Sequence, residues 1–187
     1  DETIYANLGH DLSTNPFSYT FKDKLYSDYA PDGSWPKAGF RPPLLPYLLS
    51  LFYFLKIDPF IILLMPLVGS LNVIIIYHLV KKLFNKKIAI LSSLFFAVIP
   101  SHVNYSSKIL TDVLFTLLIS LTLLLFWSGW EENNKRSKLL FGLFFGLSLL
   151  SRYNALWILP IFPIYLFLRT KSLKFLRDKY LWISILI

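Results

Sequence analysis

The sequence predicts an all-α polytopic membrane protein. Three observations carry the prediction: long apolar runs, short basic connectors between them, and a polar segment of 41 residues ahead of the first run. Of 187 residues 55% are hydrophobic and 16% charged, and the apolar residues come as Leu/Ile/Phe runs instead of the stripes a water-soluble domain needs. Residues 59 to 80 hold 22 residues without Lys, Arg, Asp or Glu. As a helix they reach roughly 33 Å at about 1.5 Å per residue, enough to cross a bilayer core.

The net charge of +8 does not describe a nucleic-acid surface, because the Lys and Arg residues punctuate the apolar runs instead of lining a polar fold. With no cysteine, thiol catalysis, disulfides and thiolate metal sites are excluded for this stretch. His10, His78 and His102 have no metal-ligand spacing, and each is read as a structural histidine. No metal ligand set and no cofactor is assigned; a divalent cation stays open as an accessory. The chain opens on Asp1-Glu2 and stops inside the run YLWISILI, so it is expected to be a fragment at both ends, with a helix before residue 1.

Residues 1 to 41 are read as an outer loop. ETIYANLGHDL has weak helical character, and SDYAPDGSWPKAGFRPP is rich in turn formers. Apolar segments follow at about 43–55, 59–80, 88–105, 109–128, 139–151 and 155–168, with a last one at 180–187. Three basic connectors separate them: Lys81, Lys82, Lys86 and Lys87; Lys135, Arg136 and Lys138; and Arg169, Lys171, Lys174, Arg177 and Lys179. The positive-inside rule puts all three in the cytoplasm, which requires two crossings between each and the next. The segments supply them, and the far turns of the two hairpins bring Asp112 and Arg152 to the non-cytoplasmic side. If the first loop is also outside, the chain crosses once, or an odd number of times, between that loop and Lys81, and 59–80 is the natural single crossing. Residues 43–55 are therefore expected to lie along the outer interface.

A few polar residues could carry chemistry. Asp112 enters an otherwise apolar segment, where an ionisable group needs a partner or a cavity; Lys108, four residues earlier, shares its face if the helix extends that far. The alternatives are a structural ion pair and a site carboxylate at the water boundary. Arg152 either snorkels to headgroups or holds a phosphate with its fork of donors, and Arg41 before Pro42-Pro43 has the same two readings. Asp1 and Glu2, followed by Tyr5, are either solvated surface or part of this constellation. Carboxylates and arginines gathered beside a bilayer suit a substrate both anionic and lipid-anchored. Gly142-x-x-x-Gly146 marks close helix packing, Pro160 and Pro163 kink a short helix, and Asn104-Tyr105-Ser106 is a sequon too near the membrane to weigh.

Five elements in order resemble a known family: DETIYANL at Asp1 to Leu8, FRPPLLPYLL from Phe40, VKKLFNKK from Val80, SKILTDVLF around Asp112, and GLFFGLSLLSRYN ending at Asn154. They are similar to polyprenyl-phosphate-sugar glycosyltransferases of the GT-C superfamily, in the protein O-mannosyltransferase and aminoarabinose transferase branch. The resemblance covers essentially the whole chain, as the N-terminal part of a larger GT-C-like helix bundle with juxtamembrane helices in its first loop. It implies transfer of mannose or a similar sugar from a dolichyl- or polyprenyl-phosphate carrier to a protein, glycan or lipid hydroxyl. The site would face the outside or the lumen, in the cell membrane or the endoplasmic reticulum membrane. By match, Asp1 is the catalytic base with Glu2 beside it, Asp112 is a second acid, Arg41 and Arg152 contact the carrier phosphate, and Tyr153 and Tyr5 adjoin them. Lys108 joins the phosphate-binding set. Ile4 departs from the basic residue of the aminoarabinose branch and disfavours that substrate. A transporter or flippase fragment is the rival reading, and it predicts an inverted repeat and midplane polar residues that the sequence lacks. A non-catalytic scaffold leaves the long outer loop unexplained.

Overall fold

A computed structural model describes residues 2–17, 41–172 and 177–186. Among the described residues the chain is helical and contains no strand. Helix α1 (Glu2–Thr14) is followed, beyond residues 18–40, by α2 (Leu44–Phe54) and a 3₁₀ turn, Asp58–Phe60, that runs into α3 (Ile61–Leu83). Then come α4 (Lys86–Val98), α5 (Pro100–Ser106), α6 (Thr111–Trp130), α7 (Lys135–Ser151), a second 3₁₀ stretch at Tyr153–Ile158, α8 (Ile161–Thr170) and α9 (Lys179–Leu186).

Local chemistry sets the boundaries. The Asn85 side chain accepts from the Ile88 amide at 3.0 Å, and Asn134 accepts from the Arg136 and Ser137 amides, so α4 and α7 each start from a capping asparagine. Pro100 occupies the first turn of α5 and lacks the N–H that would continue α4. The chain therefore bends by 60° between α4 and α5. This divides the segment expected over 88–105, which had been read straight through Pro100. The segment expected over 155–168 is divided too: the backbone turns extended at Arg152, continues as 3₁₀, and restarts as a helix after Pro160.

Among the described residues two helices are long and apolar enough to cross a bilayer, Asp58–Leu83 and Thr111–Trp130, and the bent α4–α5 pair makes a third if it counts as one span. At 17 residues α7 is roughly 26 Å long, just short of a bilayer core of about 30 Å, whereas α2 at 11 residues reaches only about 16 Å. The outward faces are apolar as well: Ile62, Leu67, Leu71 and Ile74 on α3, and Leu91, Leu94 and Phe95 on α4, are all at least half exposed. These residues suit lipid as solvent.

α3 packs on α4 and α6, α6 on α7, α7 on α9, and α1 on α2. Two cores result. One joins Tyr5, Leu45, Leu49, Ile61, Met65, Val68, Val113, Leu114 and Leu118, so α1 and α2 are built onto the end of α3 and α6 where those helices meet. The other is mainly aromatic, with the rings of Phe126, Phe145 and Phe162 each in contact with that of Phe141, and those of Phe126 and Phe145 each also in contact with that of Phe162. Asn72 is fully buried and donates to the Val113 carbonyl at 3.0 Å, a polar tie between α3 and α6 in apolar surroundings. A Cβ at Gly9 would come within 2.7 Å of Leu49 Cβ, so α1 approaches α2 this closely only because residue 9 has no side chain. Gly142 is buried and Gly146 half-buried on α7.

The three basic connectors converge at one end of the bundle. Lys82 pairs with Glu132, Arg169 with Glu131 at 2.6 Å, and Lys138 with Asp178 at 2.5 Å. The Tyr165 hydroxyl donates to Glu131 at 2.6 Å, and Arg169 donates to the Trp130 carbonyl at 3.2 Å. Lys138 also lies over the Trp130 and Tyr180 rings.

Candidate active site

At the opposite ends of α6 and α7, Asp112 and Arg152 form an ion pair through Oδ1 and Nη1. Each residue is where its helix boundary leaves it. Asp112 is in the first turn of α6, where the positive end of the helix dipole favours a carboxylate. Arg152 is the residue at which α7 gives way to extended backbone, with φ −154° and ψ 126°, so its side chain leaves the helix surface.

The pair lines a cavity of about 300 Å³ with Phe96, Phe115, Tyr105, Ser101, Thr116 and His102 among its other walls. That volume is at the lower end of small-molecule sites, about 300 to 1,000 Å³, and the mixture of aromatic faces with a few charged and hydroxyl groups is their usual composition. Thr116 donates its hydroxyl to the Asp112 carbonyl at 2.8 Å. The ion pair uses one terminal nitrogen of a guanidinium that carries five N–H donors, so the arrangement is neutral overall yet retains donors for an anionic oxygen. Both side chains are over a third exposed, which leaves them reachable by a ligand.

Not every residue singled out in the sequence joins this cavity. Asp1 lies outside the described residues, as do residues 18–40. Glu2 is exposed at the start of α1. Tyr5 is buried in the core that also holds Val113 and Leu114, and the Arg41 guanidinium stands 5.8 Å from its ring centroid, so this pair is assembled at the same end of the bundle. Tyr153 is 54% exposed and is not part of the cavity wall. Lys108 corrects an expectation: α6 begins at Thr111, so residue 108 is not one turn before Asp112 on a common face, and the carboxylate pairs with Arg152. On α2, burial and, secondarily, the Asp58 carboxylate hold the Tyr53 phenol above its ordinary range.

The sequence reading missed His102 and Tyr105, which the α4–α5 bend carries to the cavity wall. Pro100 was the available signal. Among the described residues no three His, Cys, Asp or Glu side chains converge to hold a metal ion.

The family model that matches the chain is described as dolichyl-phosphate-mannose-protein mannosyltransferase, over residues 40–187. No curated protein and no solved structure matches significantly. The match contains all of α2 to α9, the ion pair and its cavity, and it agrees with an all-α bundle having helices fit to cross a membrane. The chain belongs to the dolichyl-phosphate-mannose-protein mannosyltransferase family, membrane glycosyltransferases of the GT-C type.

Proposed function

We propose that this protein transfers a sugar, mannose or a close relative, from a dolichyl- or polyprenyl-phosphate carrier to an acceptor hydroxyl on the outer or luminal side of its membrane. The single observation that carries the reading is the Asp112–Arg152 pair, half-exposed at a cavity on the end of the bundle away from all three basic connectors. The positive-inside rule makes that end non-cytoplasmic. A donor whose phosphate lies at headgroup depth and whose lipid stays in the bilayer would reach such a site without leaving the membrane.

In this reading the reaction is a direct displacement at the anomeric carbon. The acceptor oxygen forms a bond to that carbon as the bond to the carrier phosphate oxygen breaks, and the acceptor proton passes to a carboxylate. Asp1 is the assigned base, from its match to the family motif, with Glu2 beside it. Arg152 and Arg41 offset the charge growing on the leaving phosphate, Lys108 adding to the field, with Tyr5 and Tyr153 beside the arginines. Asp112 holds Arg152 in place and orients a substrate hydroxyl. A protein acceptor is the family's implication.

The test is an assay of the full-length protein in membranes with polyprenyl-phosphate-linked sugars, comparing Asp1→Asn and Asp112→Asn with the unaltered protein. General-base catalysis is typically worth about 100- to 10,000-fold, so Asp1→Asn should lose transfer on that scale while still binding donor. Near-normal transfer by the Asp1 variant would remove the base assignment. No transfer by the unaltered protein from any such donor would remove the reading as a whole.

A further inference from the structure

His102 was read from the sequence as a structural histidine, and its surroundings argue otherwise. The 60° bend lays α5 across the end of α4, where His102 becomes a wall shared by two cavities. On one side is the cavity of Asp112 and Arg152. On the other is a cavity of about 340 Å³ lined by Gly69, Ser70, Val73, Ser106 and Ser107.

The imidazole is held by contact with Phe96, at 4.2 Å between ring centroids and 37° between planes. Gly69 makes room for this arrangement: a Cβ there would collide with the Ser106 hydroxyl, lie 2.9 Å from Ser106 Cβ, and stand 3.7 Å from His102 Nε2. The Ser106 hydroxyl in turn donates to the His102 carbonyl at 2.7 Å, which fixes the turn of α5 that carries the ring. Among the described residues neither ring nitrogen has a hydrogen-bond partner, although Ser101, Tyr105 and the ion pair share its cavity. Packing on Phe96 alone would be served equally by a phenyl ring.

We propose that His102 is a specificity-determining residue, with its ring nitrogens hydrogen-bonding hydroxyls of the donor sugar bound in the Asp112–Arg152 cavity. Neutral imidazole has one N–H donor and one acceptor nitrogen, the complement of a sugar hydroxyl that both accepts and donates. Phe96, Phe115 and Tyr105 supply apolar faces for the C–H side of the ring, while Arg152 takes the phosphate end. This inference rests on the donor assignment made above and adds the group that reads the sugar itself.

The experiment measures binding of two probes to the purified full-length protein: polyprenyl monophosphate without sugar, and mannosyl-phosphoryl-polyprenol. His102→Phe keeps a ring against Phe96 and removes the nitrogens; His102→Gln keeps a donor and an acceptor. A net hydrogen bond is worth up to about tenfold in affinity, so His102→Phe should bind the mannosyl lipid roughly tenfold more weakly and the bare phosphate unchanged. His102→Gln should recover most of the loss. Unchanged mannosyl-lipid binding by His102→Phe overturns the proposal. So does equal weakening for both probes with a lowered thermal midpoint, which is the result a structural histidine gives. Failure of the unaltered protein to bind either probe would instead refute the donor assignment on which this inference stands.

Discussion

The two ends of the bundle use the same interaction for different ends. At the connector end, among the described residues, three ion pairs tie the last turn of α3 to the α6–α7 turn, that turn to α8, and the start of α7 to the segment before α9. The Lys138 and Asp178 side chains are 9% and 20% exposed, and aromatic rings cover the ammonium. At the other end Arg152 and Asp112 are 37% and 36% exposed and open onto a cavity. A closed pair is a fastening, and removing one partner strands a buried charge. An open pair fastens little, because water screens it, but its remaining donors and acceptors are available to a ligand. Exposure alone does not set the Asp112–Arg152 pair apart, since Lys82 and Glu132 at the connector end are 33% and 47% exposed; what distinguishes it is the cavity it opens onto.

Single substitutions should break this comparison in opposite ways. Arg152→Ala is expected to lower transfer from a polyprenyl-phosphate donor by about 100- to 1,000-fold, the scale of losing one aimed donor at a developing negative charge. Its thermal midpoint should be close to that of the unaltered protein, read by fluorescence-monitored unfolding in detergent. Lys138→Ala should do the reverse. Breaking a buried pair from one side costs about 3 to 5 kcal/mol, so this variant should be markedly less stable, whereas the fraction that folds should retain its rate per molecule. Lys82→Ala marks the small end of the scale. Its partner Glu132 is 47% exposed, and an exposed pair is worth about 0 to 1 kcal/mol, so both midpoint and rate should stay near those of the unaltered protein.

The hydropathy runs made the helices legible because each apolar residue reports its solvent independently of its neighbours. The basic connectors marked one end of the bundle, where Lys82, Lys138 and Arg169 make ion pairs. Asp112 and Arg152 stood out as charges in apolar runs, but their mutual pairing did not. They are 40 residues apart, and the nearer basic residue, Lys108, shares the face of Asp112 only in a helical register that the start of α6 at Thr111 removes. The division of 88–105 was foreshadowed by Pro100, although the apolar run continues through it and hides the break. His102 could not be valued before that bend was known, since its place beside Asp112 comes from the turn of the chain and not from any spacing. The same holds for Glu131, whose partners Arg169 and Tyr165 come from a distant helix.

The charge swap Asp112→Arg with Arg152→Asp tests the central claim most directly, because it keeps an ion pair between α6 and the end of α7 while exchanging what each helix offers a ligand. The measurement is the rate of sugar transfer from a polyprenyl-phosphate donor by the full-length protein in membranes, alongside its thermal midpoint. The site reading predicts a folded protein at least about 100-fold slower than the unaltered one. A swapped protein that folds and transfers within two- to threefold of the unaltered rate would contradict it, and would make this pair a fastening like those at the other end.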